Sequence, residues 1–269
     1  MLKKKITFIG SGAMAEAMIS SLLRQNLTRP EDLCASDIHP ERGQELHEKY
    51  GVQSFTDNNR AVEHADVVVL SVKPQRLTDV LSNLKGAIPA GAVVLSIVAG
   101  ATIGKISKGL AHKAVVRSMP NTPAQIGEGI TVWIASPSVS QVQKETARTI
   151  LGAFGEEIYV DDENYLDMAT ALSGTGPAYV FIFMEAMIDA GVKMGLPRDR
   201  ASLLATQTVK GTVTMLEAEK LHPTVMKEMI TSPGGTTIAG LTHLEEKGFK
   251  GCLIRAIDEA RKRAKELSA

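Results

Sequence analysis

From Leu2 to about Val160 the chain alternates short apolar runs with longer stretches of helical periodicity. Ile6–Ile9, Leu33–Ser36, Val67–Val72, Val93–Ile97, Ala114–Arg117, Gly129–Ile134 and Ile158–Val160 have the length and β-branched content of strands. Several are apolar without interruption, as strands buried on both faces should be. Between them, a stretch ending near Gln25 and the segments Glu41–Lys49, Arg76–Leu84 and Ser140–Phe154 read as helices. This alternation predicts an α/β fold, a doubly wound sheet whose ligands sit beyond the carboxyl ends of its strands.

After Asp161-Asp162-Glu163-Asn164 the strand-like runs stop and helices take over, so residues 1–161 and 162–269 are expected to be separate domains. The helical half comprises Pro177–Met194, Arg198–Leu216, Pro223–Ile230, Ile238–Lys247 and Phe249–Leu267. In Pro177–Met194 the only charges, Glu185, Asp189 and Lys193, recur every four residues and make one stripe. Tyr179, Phe181, Ile182, Phe183, Met187 and Val192 surround it, a circumference that needs apolar partners on several sides. A second subunit is the economical cover; a central place in a monomeric bundle is the alternative.

The first strand runs directly into Gly10-Ser11-Gly12-Ala13-Met14-Ala15 and a helix. This is G-x-G-x-x-A in strand–turn–helix context, a turn that seats a pyrophosphate on a helix N-terminus. The second strand ends at Ser36-Asp37, where a carboxylate would meet an adenosine ribose. Further strand exits carry Val72-Lys73-Pro74, Val98-Ala99-Gly100 and Met119-Pro120-Asn121. Lys73 is a candidate for the cofactor's ribose or phosphates, and Asn121 for the nicotinamide carboxamide. A solvated loop lysine and an Asx turn are their plain alternatives.

Composition removes whole classes of function. The 269 residues are 44% hydrophobic, with 30 basic against 30 acidic side chains, which gives no footprint for nucleic acid or a membrane surface. No apolar run is expected to reach membrane-spanning length, and Lys3-Lys4-Lys5 enters a strand rather than a secretory leader. The two cysteines, Cys34 and Cys252, offer no metal spacing and no disulfide framework, and a cytoplasmic, reducing location fits.

A second glycine turn, Ser232-Pro233-Gly234-Gly235-Thr236-Thr237, opens onto the helix that stops at Gly248. The N–H groups of Gly235, Thr236 and Thr237 are expected to be first-turn donors free to hold an anion, with an ordinary capped helix start as the plain reading. Together with Val72-Lys73-Pro74, Met119-Pro120-Asn121-Thr122-Pro123, Leu172-Ser173-Gly174-Thr175-Gly176-Pro177-Ala178-Tyr179 and Gly191-Val192-Lys193-Met194-Gly195-Leu196-Pro197, it resembles the pyrroline-5-carboxylate reductases along nearly the whole chain.

The resemblance implies a Rossmann domain followed by an all-helical dimerisation domain, in homodimers that often form rings of dimers. It implies NADPH- or NADH-dependent reduction of a cyclic imine, 1-pyrroline-5-carboxylate, to L-proline. The substrate carboxylate would lie on Gly235, Thr236 and Thr237, with Pro177 nearby and the Thr237 hydroxyl at the ring nitrogen. The dinucleotide would use Gly10, Gly12, Ala13, Met14, Ser36, Asp37, Asn58, Val72, Lys73, Pro74, Ala99, Gly100 and Asn121. One departure is Leu221 before His222-Pro223, where relatives often carry an acid.

The six histidines form no paired constellation, and an imine nitrogen is basic enough to arrive protonated. No side chain is therefore expected to be an obligatory general acid. Asp37 favours a free ribose hydroxyl, while His39 and Arg42 are near enough in sequence to neutralise a 2′-phosphate, so both cofactors are expected to work. Two rivals remain. One is a related imine or 3-hydroxy-acid dehydrogenase, for which Lys193 is the candidate catalytic lysine; the other is a nucleotide-sensing homologue without catalysis.

Overall fold

The structure is a computed structural model that describes residues 1–268. Eight strands form one sheet: β1 (Ile6–Ile9), β2 (Leu33–Ser36), β3 (Gln53–Phe55), β4 (Val67–Leu70), β5 (Val93–Ser96), β6 (Val115–Met119), β7 (Gly129–Ala135) and β8 (Gly155–Tyr159). Their spatial order is β3-β2-β1-β4-β5-β6-β7-β8. The helices of this half are α1 (Ala13–Arg24), α2 (Pro40–Tyr50), α3 (Asn58–Val62), α4 (Leu77–Asn83), α5 (Ile103–Leu110), α6 (Gln141–Gly152) and α7 (Asn164–Ala169).

Alternation along the strands builds two cores, one on each face. In β4, Val67 and Val69 join Met18, Leu22, Ile150 and Leu151 from α1 and α6, while Val68 and Leu70 join Leu77, Leu81, Ile106 and Leu110 from α4 and α5. Each such side chain taken fully out of water contributes about 1.5–3 kcal/mol. Helices on both faces make the sheet doubly wound, as the sequence pattern predicts.

Strand order reverses at β1, which has β2 on one side and β4 on the other, both parallel to it. Ile9 aligns with Ser36 and with Leu70, so Gly10, Asp37 and Ser71 leave the sheet side by side. A crevice forms where the chains part at such a switch point. The next exits carry Ala99 and Asn121. β7 runs antiparallel to β6, because the turn at Thr122–Ile126 is too short to hold a crossover helix.

Two features differ from what the sequence pattern predicts. β3 is a three-residue edge strand, Gln53-Ser54-Phe55, too short and polar to announce itself by pattern. The second concerns membrane-spanning length. The helical run Asn164–Lys193 covers 30 residues with a mean hydropathy of 1.3, enough to cross a membrane by length and composition, and only 6% of its apolar window is buried. The expectation that no run reaches that length is therefore corrected. A π turn at Thr170–Gly174 precedes α8, and Pro177 lies in the first turn of α8, where its missing N–H costs nothing.

The chain divides into two compact units, one of Met1–Thr175 with the segment from Ala260 onward, the other Gly176–Glu259. The second holds α8 (Gly176–Lys193), α9 (Arg198–Glu219), α10 (Pro223–Met229), α11 (Thr236–Glu246) and most of α12 (Phe249–Ser268). In it α8 meets α9 on a seam of small residues. A Cβ on Gly191 would lie 2.9 Å from the Cβ of the buried Ala201, so only glycine permits this approach. Phe181 and Ile182, 66% and 67% exposed in the protomer, remain outward on α8.

Buried charge organises the first unit's rim. Arg117 on β6 is almost fully buried and bonds Glu163 at 3.0 Å and Asp167 at 3.1 Å. The Ser268 hydroxyl donates to the same Asp167 at 2.9 Å, and Glu163 accepts the N–H of Ile103 at 2.8 Å. Leaving two carboxylates half-buried without their cation is costly. Arg117→Met is expected to lower unfolding stability by about 3 kcal/mol in urea titrations, against about 0.5 kcal/mol or less for the exposed pair partner Arg148→Met. Equal losses would contradict this.

Glu16 on α1 gathers Arg42, Lys49 (2.8 Å) and Tyr50 (3.0 Å). The Arg42 guanidinium first, then Lys49, hold its carboxyl at about 2, below the ordinary 4.5. A carboxylate depressed on folding stabilises fully above the unfolded value and loses that effect as pH falls towards the folded one. Glu16→Gln should destabilise at neutral pH by about 1 kcal/mol, discounted for solvent screening. Stability measured against pH should show that gap closing between 4.5 and about 2.

Candidate active site

Gly10 leaves β1 with φ +92°, and a Cβ there would sit 2.8 Å from Val72 Cγ1 and 2.9 Å from the Val72 amide. Glycine is required twice, by conformation and by space. Gly12 is the N-cap of α1; no side chain caps that helix, and a Cβ at Gly12 would meet nothing within 4 Å. The first-turn N–H groups of Ala13 and Met14 are thus left without an intrahelical acceptor beside open space. Ser71 fastens the loop by donating to the carbonyl of Gly10 at 2.7 Å.

The Asp37 carboxylate accepts from the Ser11 N–H at 2.8 Å and from the His39 N–H at 3.1 Å. Behind it, Ser36 donates to the Asn58 Oδ1 at 2.8 Å, and Asn58 passes a bond of 3.2 Å to Asn83. Arg42 points its Nε to the Ser11 carbonyl at 2.7 Å and its two other nitrogens to Glu45 and Glu16. Its guanidinium is committed within the protein to these three partners.

These residues line a cleft of about 550 Å³ that brings together Gly10, Gly12, Ser36, Asp37, Asn58, Val72 and Lys73. Pro74 opens the short 3₁₀ turn that follows Lys73. Arg76, Asp79, Val80 and Asn83 complete the wall. The sequence does not point to these four, since nothing in an amphipathic helix distinguishes a cleft-facing polar residue from a solvated one. Ala99, Gly100 and Asn121 lie at the neighbouring strand exits and do not line this cleft. Gly100 has φ +71°, and a Cβ there would lie 2.7 Å from the carbonyl of Leu267. Asn121 accepts the Ile130 N–H through Oδ1 at 2.9 Å, which leaves its amide NH₂ as the group available to a ligand.

An uncapped helix start, two backbone amides without acceptors and a glycine that no other residue could replace fit the diphosphate of a dinucleotide.

The second unit holds the other glycine turn. Gly234 has φ +66° and Gly235 is the N-cap of α11, again without a side-chain cap. Gly235 gives its own N–H to the Ser232 carbonyl at 3.2 Å, closing the turn. The expected trio therefore shifts by one: the donors left open are those of Thr236, Thr237 and Ile238, the first three residues of the helix. A side chain on Gly235 would collide with Ser232 Oγ. Thr237 is half-buried and Pro177 sits, also half-buried, in the first turn of α8.

Three of the six histidines have local structural tasks. His222 caps α10 by accepting the Thr224 N–H at 3.2 Å, His112 pairs with the Ala92 carbonyl at 2.9 Å, and His47 with the Val52 carbonyl at 3.1 Å. Burial pushes the Cys34 thiol up to about 11, which keeps it protonated and unreactive. Lys193 is the exposed last residue of α8. Among the described residues no cluster of three metal-ligating side chains occurs.

Comparison with known proteins finds a match in each half of the sequence. A family model described as pyrroline-5-carboxylate reductase dimerisation matches residues 163–267, and one described as NADP oxidoreductase, coenzyme F420-dependent, matches residues 5–100. The pyrroline-5-carboxylate reductase of Synechocystis sp. is 41% identical over 263 residues, 98% of each chain. That of Arabidopsis thaliana is 37% identical over 98% of this chain and 95% of its own. Among solved structures, a pyrroline-5-carboxylate reductase from Coxiella burnetii superposes over the full length of both chains with a TM-score of 0.92 at 36% identity. One from Plasmodium falciparum with NADP bound does so with a TM-score of 0.91 at 32% identity. Identity of this order, sustained from the nucleotide turn through the glycine–threonine turn, places the chain in the pyrroline-5-carboxylate reductase family.

Proposed function

We propose that this protein reduces 1-pyrroline-5-carboxylate to L-proline with NADPH or NADH, the last step of proline biosynthesis, as a cytoplasmic homo-oligomer. The observation that carries the reading is the uncapped start of α11 at Thr236 in the family's own glycine–threonine turn.

The N–H groups of Thr236, Thr237 and Ile238 hold the substrate carboxylate, and the helix dipole favours its charge. The Thr237 hydroxyl orients the ring nitrogen, and Pro177 presents a non-donating wall to the ring. In the other unit, Ala13 and Met14 hold the diphosphate, Ser36, Asp37 and Asn58 the adenosine end, and Lys73, Pro74, Ala99, Gly100 and Asn121 the ribose and nicotinamide end. A bound reduced nicotinamide supplies the hydride that the imine carbon accepts.

The nitrogen of the imine enters protonated, keeps that proton and takes the electron pair of the C=N π bond. The chain then needs no proton donor, and its work is to orient the two reactants and exclude water. This agrees with the commitment of His222, His112 and His47 to a helix cap and to backbone carbonyls.

Residues 162–269 are proposed as the dimerisation and substrate-binding segment, with Phe181 and Ile182 on the face that a second copy covers, and rings of such dimers as the larger assembly. The apolar length of Asn164–Lys193 is thereby assigned to a protein partner rather than to lipid.

Three results test these assignments. Loss of reduced-nicotinamide absorbance on adding synthetic 1-pyrroline-5-carboxylate is expected, whereas turnover only with a hydroxy acid would overturn the substrate. Thr237→Ala should lower kcat/KM roughly ten- to a hundredfold, the worth of one hydrogen bond to a charged group, with dinucleotide affinity unchanged. Phe181→Glu with Ile182→Glu should convert oligomer to monomer in sedimentation velocity, and an unchanged sedimentation coefficient would refute that interface.

A further inference from the structure

We propose that Asp37 sets dinucleotide selectivity in this protein, favouring a free adenosine 2′-hydroxyl and therefore NADH over NADPH. The inference rests on the reductase reading only for the presence of a nicotinamide dinucleotide in the cleft.

The β1–β2 register delivers Asp37 to the cleft beside Gly10. Its two oxygens are held by backbone donors, Ser11 N–H at 2.8 Å and His39 N–H at 3.1 Å, so the carboxylate is fixed in place before any ligand arrives. A carboxylate has about four acceptor sites, and two remain for the vicinal hydroxyls of a ribose. A 2′-phosphate would set a second anion against it, at a distance where repulsion is strong in a partly enclosed cleft.

Neutralisation would have to come from a cation, and the nearest in sequence is taken. Arg42 commits its three nitrogens to the Ser11 carbonyl, Glu45 and Glu16. Its charge is balanced twice over before a phosphate is considered. The basic groups that line the cleft itself are His39, whose Nδ1 lies 3.4 Å from Glu41, Arg76, 3.8 Å from Asp79, and Lys73, at the exit of β4 on the far side of β1 from Asp37. Asp79 is itself part of the cleft wall, so Arg76 brings its own counter-charge with it. Arg42 is thus a positioning residue for the glycine loop, not a phosphate receptor, and Asp37 is the discriminating group.

Equilibrium binding of NADH and NADPH to the full-length protein, followed by nicotinamide fluorescence without any imine present, tests this directly. Wild type is expected to bind NADH at least about tenfold tighter. Asp37→Asn keeps an oxygen for the Ser11 N–H and removes the charge, and should bring the two within about threefold. Arg42→Met should leave the NADH-to-NADPH ratio where it was. Equal or tighter NADPH binding by wild type, an unchanged ratio in Asp37→Asn, or a selective loss of NADPH in Arg42→Met would each overturn the proposal. Should Asp37→Asn fail to fold, competition by AMP against adenosine 2′,5′-bisphosphate, which differ only in the 2′-phosphate, on wild type decides between the same outcomes: AMP is expected to bind tighter, and tighter binding of the bisphosphate would overturn the proposal. Dinucleotide binding without imine turnover would remove the substrate reading and leave this one standing. Failure to bind either dinucleotide would remove it.

Discussion

Every helix must begin with backbone N–H groups that have no partner inside it, and what this chain does with them organises the molecule. Four helices satisfy these donors with side chains, through Asp57, Thr102, Ser140 and His222. The helices at the two glycine turns have a glycine N-cap and no side-chain cap, at Gly12 and at Gly235. An uncapped start inside a fold leaves donors that an anion can satisfy. Placed in separate units of one chain, the two starts suit a diphosphate and a small carboxylate, and the family to which the chain belongs is named for reducing a carboxylate-bearing imine.

The rest of the first unit is arranged to keep the first of these starts in place. Sheet register brings Gly10, Asp37 and Ser71 to one edge, Ser71 and Asp37 bind the loop from two sides, and Arg42 holds it from behind while anchored on Glu16. The loop is thereby pinned by Asp37 and Ser71 in the cleft wall and by Arg42 behind, and the first-turn N–H groups of Ala13 and Met14 stay open. Main-chain groups are thus what both turns present, and glycine is the residue type the two turns share.

Much of this was legible in the sequence because it depends on local rules. The G-x-G-x-x-A turn, the carboxylate at Asp37 and the uninterrupted run Val67–Leu70 each follow from conformational and burial constraints that act over a few residues. What was hidden depends on contacts across the chain. Gln53–Phe55 is a strand only because β2 is beside it. The N–H of Gly235 is consumed by the Ser232 carbonyl, a turn closure that shifts the open donors to Thr236, Thr237 and Ile238. Arg42 reads as a candidate phosphate partner from its place in the sequence, yet Glu16, a helix away, holds one of its nitrogens.

Bare amides at the start of α11 gripping the substrate's carboxylate are the contact on which the proposed chemistry depends. A crystal structure with L-proline and an oxidised nicotinamide dinucleotide tests it most directly. Carboxylate oxygens are expected within about 3 Å of the amide nitrogens of Thr236 and Thr237. A carboxylate held elsewhere by side chains, with those amides facing only water, would contradict it.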